Sequence, residues 1–226
     1  PTVSSIVISS ATGIQNNLLN VGDNVSVTAT FSEAVILDNA NGNPTLTLVV
    51  GSTDRPATYT SGDNSTQQVF RYTIQAEETD SNGISIGANA LALNSGTIRD
   101  RAGNIATDLT HSVVDNNSSY KVDTTAPSVD NFTMSDTELK IGDNATVTLV
   151  FSEEVIEFSN ADITIPNLDN STPSGTLSTM TSDDNESWTG TFTPRTNTED
   201  DNNSLSLGTT YTDLAGNNGP DNQTEN

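Results

Sequence analysis

Apolar and polar residues alternate along several short stretches of the chain. Val25, Val27, Ala29 and Phe31 are separated by serine and threonine, and Ala145–Phe151 repeats the same order. A period of two places successive side chains on opposite faces of a strand, one facing the core and the other facing water. These two stretches are therefore predicted to be strands that bury one face.

Other stretches show the same strand pattern, and none of helical length carries an apolar stripe with a period of 3.6 residues. Further strands are predicted at Ser4–Ser9, Thr45–Val50, Ala57–Thr60, Phe70–Ile74, Ile84–Ile86 and Ser118–Val122. About seven short strands per ~100 residues, separated by Gly, Asn and Asp turns, are typical of a β-sandwich. The predicted fold class is all-β.

The chain contains the same unit twice. Val21–Val35 returns as Ile141–Val155, and Arg99–Asn104 returns as Thr212–Asn217. Val122–Pro127 lies between the copies, so the chain has the form of a segment of a repeat array.

The repeats set the predicted domain boundaries. We expect a first repeat over residues 1–122, a linker over residues 123–127 and a second repeat over residues 128–226. Pro1 aligns with Pro127, so we expect the first repeat to begin directly after an equivalent linker. The first copy continues through Ser118–Val122, so we expect the last strand of the second copy to be truncated.

The charge balance excludes some partners. The chain has 7 Lys and Arg against 30 Asp and Glu, a formal net charge of −23, and no Cys. Nucleic acids and anionic membranes need clustered cations, so neither is expected as a partner. No apolar run approaches the ~20 residues of a membrane-spanning helix, so direct membrane insertion is not expected either. A net negative charge of this size favours cations as binding partners.

The repeated motifs resemble the bacterial Ig-like repeats of giant cell-surface adhesins, many of them exported by type I secretion and some with RTX tails. The resemblance rests on Val122–Pro127, on Phe-Ser-Glu at 31–33 and 151–153, and on Asp-x-Ala-Gly-Asn at 100–104 and 213–217. It implies two tandem Ig-like β-sandwich domains outside a bacterial cell, often with calcium at domain junctions. It does not imply catalysis.

The topology of an Ig-like sandwich predicts which acidic residues approach the junction. The chain entry shares its end of the sandwich with the loops after the second, fourth and sixth strands. In the second repeat these positions hold Glu153, Asp184 and Asp213, and Asp123 enters from the linker.

The first repeat is expected to present its opposite end to the junction. Asp23 precedes its second strand there, and Glu78 and Asp80 follow its fifth. Seven carboxylates thus become candidate metal ligands: Asp23, Glu78, Asp80, Asp123, Glu153, Asp184 and Asp213. Grouped carboxylates repel unless they are protonated or bind a metal, and an all-oxygen set without Cys or His selects a hard cation. Ca²⁺ accepts 6–8 oxygens from flexible loops, so calcium is the predicted cofactor.

Each of these residues also has a simpler interpretation. Asp and Asn are frequent in turns because they bond their own backbone. Gly216 in the Asp213 motif can supply a positive φ to a tight turn, which is compatible with a ligand role for Asp213. The single His of the chain, His111, supports neither a zinc site nor a Ser-His-Asp triad, so no enzyme is predicted.

The sequence favours a non-enzymatic extender segment of a bacterial surface adhesin, acting in adhesion and biofilm formation. Its expected partners are neighbouring repeats of the same polypeptide and a host or surface ligand held by other domains, and the segment itself is expected to be a monomer. Two alternatives stay open. One domain could itself bind glycan or protein, or the segment could be an accessory module of a secreted hydrolase.

Overall fold

The computed structural model describes residues 1–168, 172–196 and 204–224. Contacts divide the chain into unit 1, Pro1–Thr125, and unit 2, Ala126–Asn226. This division lies inside the segment predicted as a linker. Strands dominate both units, which confirms the predicted all-β fold class.

Unit 1 is built from one large sheet and one small sheet. Its strands are β1 (Val3–Thr12), β2 (Leu18–Leu19), β3 (Asn24–Asp38), β4 (Thr45–Val50), β5 (Thr53–Ser61), β6 (Ser65–Thr73), β7 (Thr79–Asp80), β8 (Leu91–Ala92), β9 (Thr97–Asp100) and β10 (Lys121–Asp123). The large sheet has the order β1-β3-β6-β5-β4-β8 with β9 paired to β3, and the small sheet has the order β2-β10-β7. Ile84–Ile86, which the sequence predicts as a strand, forms only isolated bridges, Ser85 with Val49 and Ile86 with Val114.

The core of unit 1 follows the alternation of apolar residues. Val25, Val27 and Ala29 of β3 are fully buried, as are Leu46 and Leu48 of β4. Full burial of each of these valine and leucine side chains stabilises the fold by about 1.5–3 kcal/mol.

The intervening residues of β3 were predicted to face water, and at Ser26 and Thr28 this prediction is wrong. Both residues are buried, with exposed fractions of 9% and 8%. The cause is the neighbouring strand β1, because the Thr28 hydroxyl donates to Ser9 Oγ and the Ser9 hydroxyl donates to the carbonyl of Ser26. Ser9 of the edge strand β1 therefore lies against Ser26 and Thr28 and helps to cover the polar side of β3.

Unit 2 repeats this plan with shorter strands. They are β11 (Val129–Met134), β12 (Ala145–Phe151), β13 (Val155–Ile156), β14 (Ile163–Thr164), β15 (Gly175–Leu177), β16 (Ser187–Pro194), β17 (Ser206–Leu207), β18 (Thr212–Asp213) and β19 (Asn222–Gln223), with a 3₁₀ turn at Asn160–Asp162. The sheets have the orders β11-β12-β16-β15, β13-β18 and β14-β17-β19. A buried aromatic group holds them together, with the Phe151 and Tyr211 ring centres 4.8 Å apart and those of Phe151 and Phe158 5.7 Å apart.

Candidate metal centre

The Phe-Ser-Glu motif lies where the chain changes its strand partner. In unit 1, β3 pairs regularly with β6 up to Thr30, and after an irregular step Val35 lies opposite both Ser65 of β6 and Asp100 of β9. In unit 2, β12 ends at Phe151 and β13 begins at Val155. The motif therefore fills the irregular step between two ladders in both units.

The residues of this motif have separate roles. Phe151 is fully buried, whereas Glu153 is half-buried. Phe31 is likewise buried, and Glu33 is exposed. The phenylalanine anchors the step in the core, and the glutamate two residues later keeps solvent access in both units.

The Asp-x-Ala-Gly-Asn motif is a turn held together by its own aspartate. Asp213 is fully buried, and its Oδ1 accepts from the backbone N–H of Ala215 at 2.8 Å and of Asn217 at 2.9 Å. Its Oδ2 accepts from the Asn217 side-chain amide at 2.8 Å. Gly216 has φ +87°, which glycine adopts without strain.

Unit 1 contains the same turn. Asp100 Oδ1 accepts from the Asn104 backbone N–H at 2.8 Å, and Oδ2 accepts from the Asn104 side-chain amide at 2.7 Å. The side-chain amide is the largest cause that lowers the pKa of Asp100. Both aspartates thus stabilise a turn, as the simpler interpretation of the sequence predicted.

Turn stabilisation leaves capacity for a cation on Asp213. A carboxylate has about four acceptor positions. In the described part of the chain, the turn fills two on Oδ1 and one on Oδ2 of Asp213. Oδ2 therefore retains one acceptor position, and the ligand role and the turn role are chemically compatible.

Strand pairing brings the two motifs together within unit 2. Val155 of β13 is the register partner of Asp213 of β18, and Glu153 is two residues before Val155. Glu153 and Asp213 each offer a carboxylate oxygen, and these two oxygens lie within 4.8 Å of one another. In unit 1, Val35 and Asp100 have the same register, with Glu33 two residues before Val35. The repeated sequence thus builds the same arrangement twice.

Asp184 has a different environment. Its Oδ1 accepts from the backbone N–H groups of Glu186 and Ser187 at 3.0 and 2.8 Å and from the Ser182 hydroxyl at 2.8 Å. The Ser187 N–H is the largest cause that lowers the pKa of Asp184. Among the described residues, Asp184 does not belong to a group of three acidic oxygens within 4.8 Å of one another. Its observed contacts close the loop between β15 and β16, and its ligand role stays a prediction.

Asp123 is the last residue of β10 and is half-buried. Its Oδ1 accepts from the Thr125 backbone N–H at 3.0 Å. Only Thr124 and Thr125 separate Asp123 from Ala126, the first residue of unit 2.

Glu78 and Asp80 of unit 1 are engaged by neighbours in their own unit. Both are 3% exposed. Glu78 forms an ion pair with Arg55, and it accepts from the Tyr72 hydroxyl and from the Gln75 backbone N–H. Burial, and then the hydrogen bond to Glu78, raise the pKa of Tyr72.

Asp80 and Asp23 bind backbone N–H groups. Asp80 accepts from Gly51 and Gly83, both at 2.7 Å, and Asp23 accepts from Asn20 at 2.9 Å. None of Asp23, Glu78 and Asp80 belongs to a three-carboxylate group within the described residues. Their predicted ligand role is not tested by these contacts, but each carboxylate has a structural task.

The sequence did not reveal the partners of Glu78. Arg55 lies on β5 and Tyr72 on β6, and no motif links them to Glu78. Their approach depends on how the strands pack. The partner of Asp213 had a visible signal, because Asn217 recurs as Asn104 at the same position of the repeated motif.

Residues 123–226 match the family model of a bacterial Ig-like domain. This part of the chain is similar to that family, and the predicted resemblance to bacterial Ig-like repeats is confirmed. With the repeated motifs of unit 1, the match identifies the fold as tandem Ig-like β-sandwiches. Comparison with curated protein sequences gave no match.

The family match supports coarse functional statements. Bacterial Ig-like domains are typically non-catalytic structural modules and are commonly extracellular or surface-associated. In the described residues, no helix has the length and apolar character needed to cross a membrane. Residues 123–226 thus resemble a structural module of a kind common on bacterial surfaces.

Proposed function

We propose that this chain is an extender segment of a bacterial surface adhesin, and that calcium stiffens the connection between its domains. The observation that carries the proposal is the pair of carboxylates at one end of unit 2, Glu153 and Asp213, with oxygens within 4.8 Å of one another. A cation between two such oxygens relieves their repulsion.

Asp123 is the proposed third ligand. Three residues of chain span at most about 11 Å, so Asp123 is tethered close to the first residue of unit 2. Calcium takes 6–8 oxygens, and three carboxylates leave positions for backbone carbonyls and water. All three proposed ligands are hard oxygen donors, which favour Ca²⁺ over Zn²⁺ or Cu²⁺.

The net charge of the chain gives calcium binding an effect on the stability of the fold. A formal net charge of −23 makes the folded protein self-repelling. A cation that binds only the folded state stabilises it by mass action.

The proposed mechanical role follows from the linker chemistry. Pro127 has a fixed φ and biases Ala126 towards extended backbone, which restricts bending without abolishing it. A calcium ion shared by Asp123, Glu153 and Asp213 would remove much of the remaining freedom. Extracellular calcium sites commonly have a Kd of ~10⁻⁴–10⁻³ M, so such a site fills outside a cell and stays largely empty in cytosol. The array would then be slack during export and stiff afterwards, holding a distal binding domain away from the cell.

Calorimetric titration of calcium into Glu153→Gln tests this proposal. The substitution keeps the size of the side chain and removes its charge. We expect at least about a 10-fold loss of affinity for calcium, because a charged ligand is lost from a small ligand set.

Glu154→Gln is the matched control, since the adjacent exposed Glu154 accepts instead from the Asn185 side-chain amide at 3.0 Å. It should bind calcium like the unchanged protein. Equal affinities for the two variants would contradict the proposed site.

A further inference from the structure

The chain segment that leaves unit 1 is held in the middle of a sheet. β10 pairs on one side with β2, with Lys121 opposite Leu18 and Val122 opposite Leu19. On its other side β10 pairs with β7, with Val122 opposite Asp80 and Asp123 opposite Thr79. Asp123, predicted from the sequence as the first linker residue, is therefore a strand residue.

The residue after the strand is also fixed. The Thr124 hydroxyl donates to the backbone carbonyl of Glu78 at 2.9 Å. The next backbone N–H, that of Thr125, donates to Asp123 Oδ1 at 3.0 Å. Three successive residues, Asp123, Thr124 and Thr125, are thus tied into unit 1 or to each other.

The acceptor of the Thr124 bond lies in a rigid part of unit 1. The Glu78 side chain is buried against Arg55 and Tyr72, and Glu78 Oε2 accepts from the Gln75 backbone N–H at 2.9 Å. The buried Glu78 carboxylate thus has three partners, from β5, β6 and the loop before β7, and these contacts fix its position.

Asp80, the second residue of β7, also fixes this strand in unit 1. The Asp80 carboxylate is buried and closes the turns at Gly51 and Gly83. A Cβ at Gly51 would collide with the Thr79 carbonyl oxygen, so the turn lies directly against β7. β7 is therefore fixed from both ends.

We propose that Thr124 is a positioning residue, which uses the anchored carbonyl of Glu78 to hold Asp123 at a fixed place and orientation at the end of unit 1. This inference rests on the proposed function for the role of Asp123 as a calcium ligand. It gives Glu78 and Asp80 a supporting task, beside the direct ligand role that the sequence predicts for them. Groups that orient metal ligands in this way typically contribute 10–100-fold to metal affinity.

The physical gain is preorganisation. A ligand that is already ordered loses less conformational freedom when the ion binds, and the affinity rises accordingly.

Thr124→Val isolates this contact, because valine has nearly the same shape and lacks the hydroxyl. Thr124→Ser restores the donor with a smaller side chain, and Thr66→Val makes the same change at an exposed position of β6. In the full chain, calcium titration should show about a 10-fold weaker Kd for Thr124→Val and near-normal values for the other two. Amide hydrogen exchange over residues 122–125 in calcium-free buffer should accelerate in Thr124→Val only.

The two measurements separate the possible failures. Loss of calcium binding by the unchanged protein would defeat the proposed function, and exchange in calcium-free buffer would still decide whether Thr124 fixes Asp123. Unchanged exchange in Thr124→Val would overturn the positioning role. Faster exchange with an unchanged calcium Kd would also overturn it, since Asp123 would then bind equally well without being held.

Discussion

Asp213 and Val155 are register partners between β18 and β13, and this pairing places the buried Asp213 carboxylate beside the Phe-Ser-Glu step of unit 2. Asp100 and Val35 form the equivalent pair in unit 1. In each sandwich a single short ladder thus brings together two motifs that are far apart in sequence, with 60 positions from Glu153 to Asp213 and 67 from Glu33 to Asp100. The same ladder supports a turn and, in the proposed function, a calcium site.

Calcium should raise the melting temperature of the chain. An ion at about ten times its Kd adds about 1.4 kcal/mol by mass action. For a domain the size of unit 2, about 1 kcal/mol of stabilisation corresponds to a Tm shift of ~4–8 °C. Scanning calorimetry in millimolar calcium and in chelator measures the effect, with magnesium as the matched ion. Superimposable curves in calcium and chelator would contradict the metal site.

Asp123→Ala should loosen the connection between the domains and leave each sandwich folded. The substitution removes a proposed ligand and the acceptor of the Thr125 N–H bond, and the apolar core stays intact. Small-angle scattering in calcium should give a broader distance distribution than for the unchanged protein. Asp115→Ala removes the same charge from an exposed site of unit 1 and serves as the control. If Asp123→Ala keeps the narrow distribution of the unchanged protein, Asp123 is not a junction ligand.

Gly103→Ala should destabilise unit 1. Gly103 has φ +91° in the Asp100 turn, and a Cβ added there would have no heavy atom within 4 Å, so the cost comes from backbone strain alone. An L-residue in left-handed geometry costs about 1–2 kcal/mol. Gly87→Ala is the control, because that site is equally open and its φ is not positive. Denaturant unfolding should show a lower free energy of unfolding for Gly103→Ala only. If both variants have the same free energy of unfolding, the Asp100 turn accommodates alanine without strain and the prediction is wrong.

Asp184→Asn should reduce the acid sensitivity of unit 2. Backbone N–H groups lower the pKa of Asp184 from its ordinary value of 3.8. A carboxyl group with a lowered folded-state pKa contributes stability above its unfolded-state pKa, and this contribution is lost as the pH falls through the folded-state pKa. Melting temperatures between about pH 6 and pH 2 should therefore fall less steeply for Asp184→Asn than for the unchanged protein.

Asp183→Asn tests whether this effect is specific. It removes the same charge one residue away, in the same exposed loop. Its acid profile should follow that of the unchanged protein. A flattened profile in Asp183→Asn would attribute the effect to general charge reduction.

Much of the fold could be predicted because its signals are local. The alternation in Val25–Phe31 and Ala145–Phe151 predicted strands with one buried face. β3 contains the first stretch, and β12 coincides with the second. Thr45–Val50 was predicted with the bounds that the structure shows. Ser26 and Thr28 departed from the pattern because a neighbouring edge strand buries them, which alternation within one strand cannot reveal.

Part of the candidate site could likewise be predicted from the sequence, and part of it could not. Glu153 and Asp213 could be placed near each other because the repeated motifs and sandwich topology assign both to one end of the domain. Glu78 and Asp80 were predicted from the same topology, and the structure engages them with Arg55, Tyr72 and backbone N–H groups. Their neighbours come from β5, β6 and distant turns, so long-range packing determined their contacts. Glu199 and Asp201, the second-repeat counterparts of Glu78 and Asp80, lie outside the described residues.

The sequence by itself determined that this protein is a tandem repeat of all-β domains with acidic turns, because periodicity, repetition and charge are properties of the chain order. Only the tertiary structure decided which carboxylates lie together and which are buried in internal bonds. An aspartate in a turn has the same local sequence whether its oxygens face a backbone N–H or a neighbouring acid. The register of β13 with β18 and of β7 with β10 makes that distinction, and it is set by the packing of the whole domain.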